Sequence, residues 1–173
     1  MIPEIEITCR GRKYFINSIT VERYKKYLNL MEKNGSDRFE DVMFFNKKIM
    51  QELFGNEISL AELGEVEVVD FLTAVKTVHF TMQSIVTERM LNIIEVEPVE
   101  KEESAFDEYD RENGYEDEQP EENQWKVYVS IVDRVVKIAI RLLKDSYSQC
   151  MKEDIVALLD YLKFELDTIN ESQ

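Results

Sequence analysis

The sequence predicts a mainly helical, α+β protein: an N-terminal β-hairpin, a helical bundle, an acidic linker and a C-terminal helical hairpin. Three observations predict it. Period-two alternation of apolar and polar residues is confined to the start of the chain, before residue 18. Beyond it, apolar residues recur at three- and four-residue intervals. Only three prolines and five glycines interrupt 173 residues, which favours long helices and argues against an all-β sandwich.

Ile5, Ile7 and Cys9 alternate with Glu4, Glu6, Thr8 and Arg10, so the chain opens with a strand. Arg10-Gly11-Arg12 turns it, and Lys13–Asn17 returns. A two-stranded hairpin has open edges and needs a cover. Thr20 can cap a first helix with the stripe Val21, Tyr24, Tyr27, Leu28 and Met31, ended by Gly35. Asp37 with Glu40 can start a second, with Val42, Phe45, Ile49, Met50 and Leu53 on one face and Gly55 at its end. Ser59-Leu60-Ala61-Glu62 is a capping box, stopped at Gly64. The longest helix is expected from about Glu67 to Ile94. At 1.5 Å per residue it is ~42 Å long, so its far end should be exposed or covered by another subunit. Trp125–Lys144 and Lys152–Ile169 form the C-terminal hairpin, too small to build a core alone. It needs the N-terminal part, a second copy or a client protein.

Charge sets the expected boundaries. The chain holds 36 acids and 21 bases, a net −15. Between Glu95 and Glu122 fourteen acids face only Lys101 and Arg111, a net −12. A like-charged block holding Pro98 and Pro120 reads as a self-repelling linker. The expected units are therefore 1–94 for self-association, 95–124 as acidic flexible linker and 125–173 as a recruiting unit. An acidic chain is a poor general binder of nucleic acid or anionic membranes, because both require an excess of Lys and Arg. The N-terminus lacks the basic and apolar regions of a signal peptide, and no run of ~20 apolar residues predicts a membrane span. Cys9 and Cys150 lie outside metal spacing and read as free thiols of a reducing compartment.

Catalytic patterns are missing from the sequence. His79 is the sole histidine, set between Val78 and Phe80 in a helical pattern, and reads as structural. There is no phosphate-cradling glycine loop, no EF-hand loop and no nucleophile-elbow spacing. Neither catalytic residue, metal nor cofactor is expected. A binding protein is. Adjacent apolar residues such as Met43, Phe44 and Phe45 cannot share one helix face, because neighbours sit ~100° apart. Some of the abundant aromatic and Met side chains can then serve as a soft, adaptable contact surface.

The order of pieces carries a resemblance. It comprises the hairpin Ile5–Tyr14, the helix with ERYKKYLNLMEK, the second helix closing in ELFGNEISLAEL, and the apolar helix opening with VVDFLTAVKTV. Together these resemble the tail assembly chaperones of long-tailed bacteriophages of Gram-positive hosts. The sharpest match, Leu53-Phe54-Gly55-Asn56-Glu57-Ile58-Ser59, is similar to the family's FGN-x-[FI]-[ST] break between helices. The resemblance spans roughly residues 4–93. A helical domain, acidic linker and second small domain is similar to the family's long, frameshift-derived form.

The resemblance implies a non-enzymatic chaperone of viral tail morphogenesis. Such a protein coats the helical tape-measure protein, recruits tail-tube subunits that later displace it, forms a homo-oligomer and acts in the host cell cytoplasm, absent from the mature virion. The side chains expected at client and self contacts are Phe44, Phe71, Phe80, Met82 and Met90, with Trp125, Val129 and Tyr161 in the recruiting unit. Two other readings stay open: an acidic decoy of a nucleic-acid-binding protein, for which salt dependence discriminates, and a small regulatory binding subunit.

Overall fold

The computed structural model describes residues 4–33, 38–96 and 123–171. Strands β1 (Ile5–Cys9) and β2 (Arg12–Ile16) pair antiparallel, with Ile7 opposite Tyr14. Arg10 and Gly11 both take positive φ, 50° and 76°, as a two-residue turn matched to strand twist requires. The alternation seen in the sequence sends Ile5, Ile7, Cys9, Tyr14 and Ile16 into the core.

Helix α1 (Val21–Glu32) follows, capped by Thr20, whose hydroxyl accepts from the Arg23 N–H. Its buried face is Val21, Tyr24, Tyr27 and Leu28. Helix α2 (Phe39–Leu53) starts after Arg38, which makes no side-chain cap bond. The Gly35 stop and the Asp37 start lie outside the described residues. Helix α3 (Leu60–Leu63) forms the expected capping box between Ser59 and Glu62.

The long helix is wound differently from expectation. It runs as α4 (Val68–Ser84), a π-helical stretch (Ile85–Met90) and α5 (Leu91–Val96). The cause is phase. In an unbroken α-helix the buried series Val78, Met82, Ile85 continues to Arg89. The wider turn instead brings Met90 inward and leaves Arg89 to pair with Asp160. Nor is the far end of this helix exposed or dependent on another subunit. Met90 and Ile93 are buried, because the C-terminal helices of the same chain cover them.

Those helices are α6 (Gln124–Leu143), α7 (Tyr147–Cys150) and α8 (Ile155–Glu171). Helix α6 packs along α1, and α8 against α5. Buried residues of both halves form one continuous core, from Ile5 and Tyr24 to Val136 and Leu162. Of the three covers the C-terminal part could use, it takes the N-terminal part of its own chain. The seam is also polar. Asp154, at the start of α8, caps that helix through the N–H groups of Val156 and Ala157. Its second oxygen accepts from Ser18 Oγ and the Ile19 N–H. Lys25 of α1 pairs with Asp133 of α6. Val21 and Glu22 donate their N–H groups to the carbonyls of Glu153 and Met151.

Candidate functional site

Helix α4 divides into two faces. Turning ~100° per residue, it places Phe71, Ala74, Val75, Val78, Thr81 and Met82 on one arc, all buried. The exposed side runs from Val68, beside the buried arc, through Leu72 to Val69 and Phe80 opposite it, with Lys76 among them. Val69 is 74% exposed and Phe80 72%. The ridge is ~18 Å long from Val68 to Phe80, at 1.5 Å per residue. Four large apolar side chains spread over about 120° of one exposed side make a contact surface rather than scattered surface residues.

Beside the ridge, β1 and α4 enclose a groove of about 380 Å³ lined by Glu4–Thr8, Asp70, Thr73, Ala74 and Thr77. The hydroxyls of Thr73 and Thr77 donate back to the carbonyls of Val69 and Thr73, at 2.7 and 2.9 Å. Their methyl groups are thereby left as the outward chemistry of that flank. Two smaller exposed apolar groups lie elsewhere. Tyr161 and Phe164 project from α8, and Phe39 and Phe44 from α2, where Lys48 Nζ sits 4.6 Å from the Phe44 ring centre.

The side chains expected at contacts therefore separate. Phe80, Phe44 and Tyr161 face solvent. Trp125 and Val129 are half-buried against the core, Trp125 edge-on to Tyr27 at 6.3 Å. Phe71, Met82 and Met90 correct the expectation: they are interior and offer no surface in this fold. All three fall on the inward phase of their helix, and a helix with apolar residues on more than one side does not reveal that phase by composition. Val68, Val69, Leu72 and Phe164 were missed by sequence reasoning. For the three on α4 the discriminating signal is the exposed side they share, not their size.

His79, next to Phe80 on α4, is half-buried. Its Nδ1 is 2.8 Å from the Tyr27 hydroxyl and its Nε2 is 3.1 Å from Asn46 Oδ1. An amide oxygen only accepts, so Nε2 carries the proton and Nδ1 accepts from Tyr27. Burial pushes the imidazole below its ordinary pKa and keeps it neutral. The ring ties α1, α2 and α4 together. Burial likewise pushes the Tyr27 and Tyr24 hydroxyls far up, and Tyr24 donates to the Met82 carbonyl at 2.7 Å.

Both cysteines are buried free thiols, and Cys9 Sγ donates to the Glu62 carbonyl at 3.1 Å. Among the described residues, no group of three His, Cys, Asp or Glu side chains is placed to hold a metal ion. Within the same residues, no helix is long and apolar enough to cross a membrane. The chemistry of the site is thus apolar contact by a helix face, on a helix that the Tyr27–His79–Asn46 chain joins to α1 and α2. No protein-family model matches the chain, and no curated protein or solved structure matches it.

Proposed function

We propose that this chain is a non-enzymatic assembly chaperone that sheathes a long helical client, the tape-measure protein of a phage tail, and recruits tail-tube subunits to it. The observation that carries the reading is the exposed ridge Val68, Val69, Leu72 and Phe80 on α4. A helix face of this kind suits an amphipathic helical client, which docks by apolar side chains spaced along one face. The ridge is short, so each contact is modest and a polymerising tube can displace it. Copies side by side along the client supply the avidity that one ridge lacks. Tyr161 and Phe164 on α8 face solvent separately and are the surface assigned to tube recruitment.

The test is co-expression of the full chain with a phage tape-measure protein. The expected result is a soluble complex, and a client that precipitates when the chain is omitted. Val69→Asp with Phe80→Asp should abolish capture while the chaperone stays folded by circular dichroism. A client equally soluble without the chain, or captured equally by the double variant, overturns the reading.

A further inference from the structure

Strand β1 has an edge that the hairpin does not use. With Arg10 and Gly11 as a two-residue turn, Cys9 and Arg12 close the ladder as a hydrogen-bonded pair. Bonded pairs alternate along an antiparallel ladder, so Ile7–Tyr14 and Ile5–Ile16 are bonded, and the pairs of Glu6 and Thr8 are not. The N–H and C=O groups of Glu6 and Thr8 therefore point away from β2. They enter no other backbone bond among the described residues. The groove of about 380 Å³ runs along this edge, because every residue from Glu4 to Thr8 lines it and no residue of β2 does. Its other wall is the Asp70, Thr73, Ala74 and Thr77 side of α4.

We infer that this groove takes an extended segment of a partner protein as a third strand, one in which Lys or Arg alternates with small β-branched residues. The free backbone groups of Glu6 and Thr8 supply the hydrogen bonds of such an addition. The pleat supplies the alternation. Side chains of the added strand that share the face of Glu4, Glu6 and Thr8 stand beside carboxylates. Those on the other face meet Ala74 and the methyl groups of Thr73 and Thr77. Charge selects the first set. The described residues that line the groove include Glu4, Glu6 and Asp70 and no Lys or Arg. Lys13 engages Glu6 at 2.7 Å, but Glu4 and Asp70 are exposed and form no ion pair among the described residues. From Glu4 to Thr8 the edge is ~14 Å long at ~3.4 Å per residue, enough to hold about five residues of the partner. A second copy of this chain suits the edge less well. Its β1 would set acid against acid, and Lys13 of its β2 is already engaged within its own hairpin. The inference stands apart from the client reading, which uses a helical occupant on the exposed ridge of α4.

Fluorescence anisotropy of the full chain with designed peptides tests it. A labelled peptide of four Lys-Val repeats should bind. A peptide of four Glu-Val repeats should bind at least about tenfold more weakly, and one with its four Lys before its four Val at least about fivefold more weakly. Backbone N-methylation at all Lys or at all Val should split: the set whose amides face β1 should abolish binding, and the other should change it less than about twofold. Glu4→Lys with Asp70→Lys should reverse the preference between the Lys-Val and Glu-Val peptides. Thr8→Pro deletes an outward N–H and no ladder bond, and should weaken the Lys-Val peptide at least about fivefold with the circular dichroism unchanged. The peptide arms hold even if that variant unfolds. No binding of the Lys-Val peptide, equal binding of the block peptide, equal loss from both methylation sets, or a preference that Glu4→Lys with Asp70→Lys leaves intact overturns the proposal. So does association of the chain with itself, in light scattering, that Thr8→Pro abolishes, which would assign the edge to a second copy.

Discussion

Asp154 and Ser18, 136 residues apart, share a 2.8 Å hydrogen bond that locks the entry of α8 to the entry of α1. The same carboxylate caps α8 and accepts from the Ile19 N–H, so both of its oxygens are used. Burial raises its pKa, but these four hydrogen bonds outweigh burial and hold it below the usual carboxylate value of 3.8. A depressed carboxylate stabilises the fold fully above that value, and the contribution fades as pH falls through the lower folded value. Asp154→Asn keeps the cap through its amide oxygen but turns the oxygen that accepts from Ser18 and Ile19 into a donor, and should cost about 2 kcal/mol at pH 7, the size of an unmade bond to a charged acceptor. The gap between the two proteins in urea melts should narrow only below about pH 4. A gap that does not change with pH would show that the charge is irrelevant.

The Tyr27–His79–Asn46 chain predicts an acid sensitivity of opposite chemical origin. His79 is held neutral by burial, so its folded pKa lies below the ordinary 6.5. The unfolded chain therefore binds a proton first as pH falls. Stability from this group is complete above pH 6.5 and declines below it. His79→Gln, which keeps a donor and an acceptor, should flatten the dependence of Tm between pH 6.5 and 5. An unchanged slope would place the acid sensitivity elsewhere.

Phe71 and Phe80 lie nine residues apart on one helix and offer a direct contrast. Phe71 is 1% exposed and Phe80 72%. Phe71→Ala should cost about 3–5 kcal/mol through the cavity left behind. Phe80→Ala should move stability by no more than about 0.5 kcal/mol, yet weaken client capture. Equal destabilisation by the two, measured by denaturant titration, would remove the division of α4 into two faces.

Local order in this molecule was legible because local chemistry sets it. The Ile5, Ile7, Cys9 alternation fixes which face of β1 is buried, and the Ser59–Glu62 pair starts α3. The π-helical turn was not, because its cause lies elsewhere in the chain. Only the packed core against Met90 and the carboxylate of Asp160 decide that Arg89 turns outward. Phe71, Met82 and Met90 were misread for a related reason: a broadly apolar helix does not say which arc the rest of the chain will cover. The docking of α6 on α1 depends on bonds such as Lys25–Asp133, across 108 residues, which no periodicity encodes.

Thr81 sits on the inward arc of α4, 3% exposed, with no hydrogen-bond partner for its hydroxyl among the described residues. A buried, unmade hydrogen bond is costly, and an apolar replacement of the same shape removes the cost. Thr81→Val should therefore raise stability by about 1 kcal/mol. Thr81→Ser, which keeps the hydroxyl and loses the methyl, should lower it. Thermal melts of the pair at pH 7 decide, and a destabilising Val would point to a hydrogen bond the hydroxyl does make.

Gly55 closes α2 with φ of 68°, and Asn56 follows at 61°. A Cβ at Gly55 would collide with Nη2 of Arg23 and come within 3.1 Å of its Cζ, so two separate costs meet at one position. The backbone cost is about 1 kcal/mol for placing an alanine in the left-handed region. The second cost is displacement of the Arg23 guanidinium. Gly55→Ala should thus lose about 1–2 kcal/mol. Removing the guanidinium with Arg23→Ala should make the same glycine substitution cheaper, down to the backbone cost alone. The four proteins of this cycle, compared by urea midpoint, should show a positive coupling between the sites. Strict additivity would mean that Arg23 swings aside freely and that Gly55 is required only for its backbone conformation.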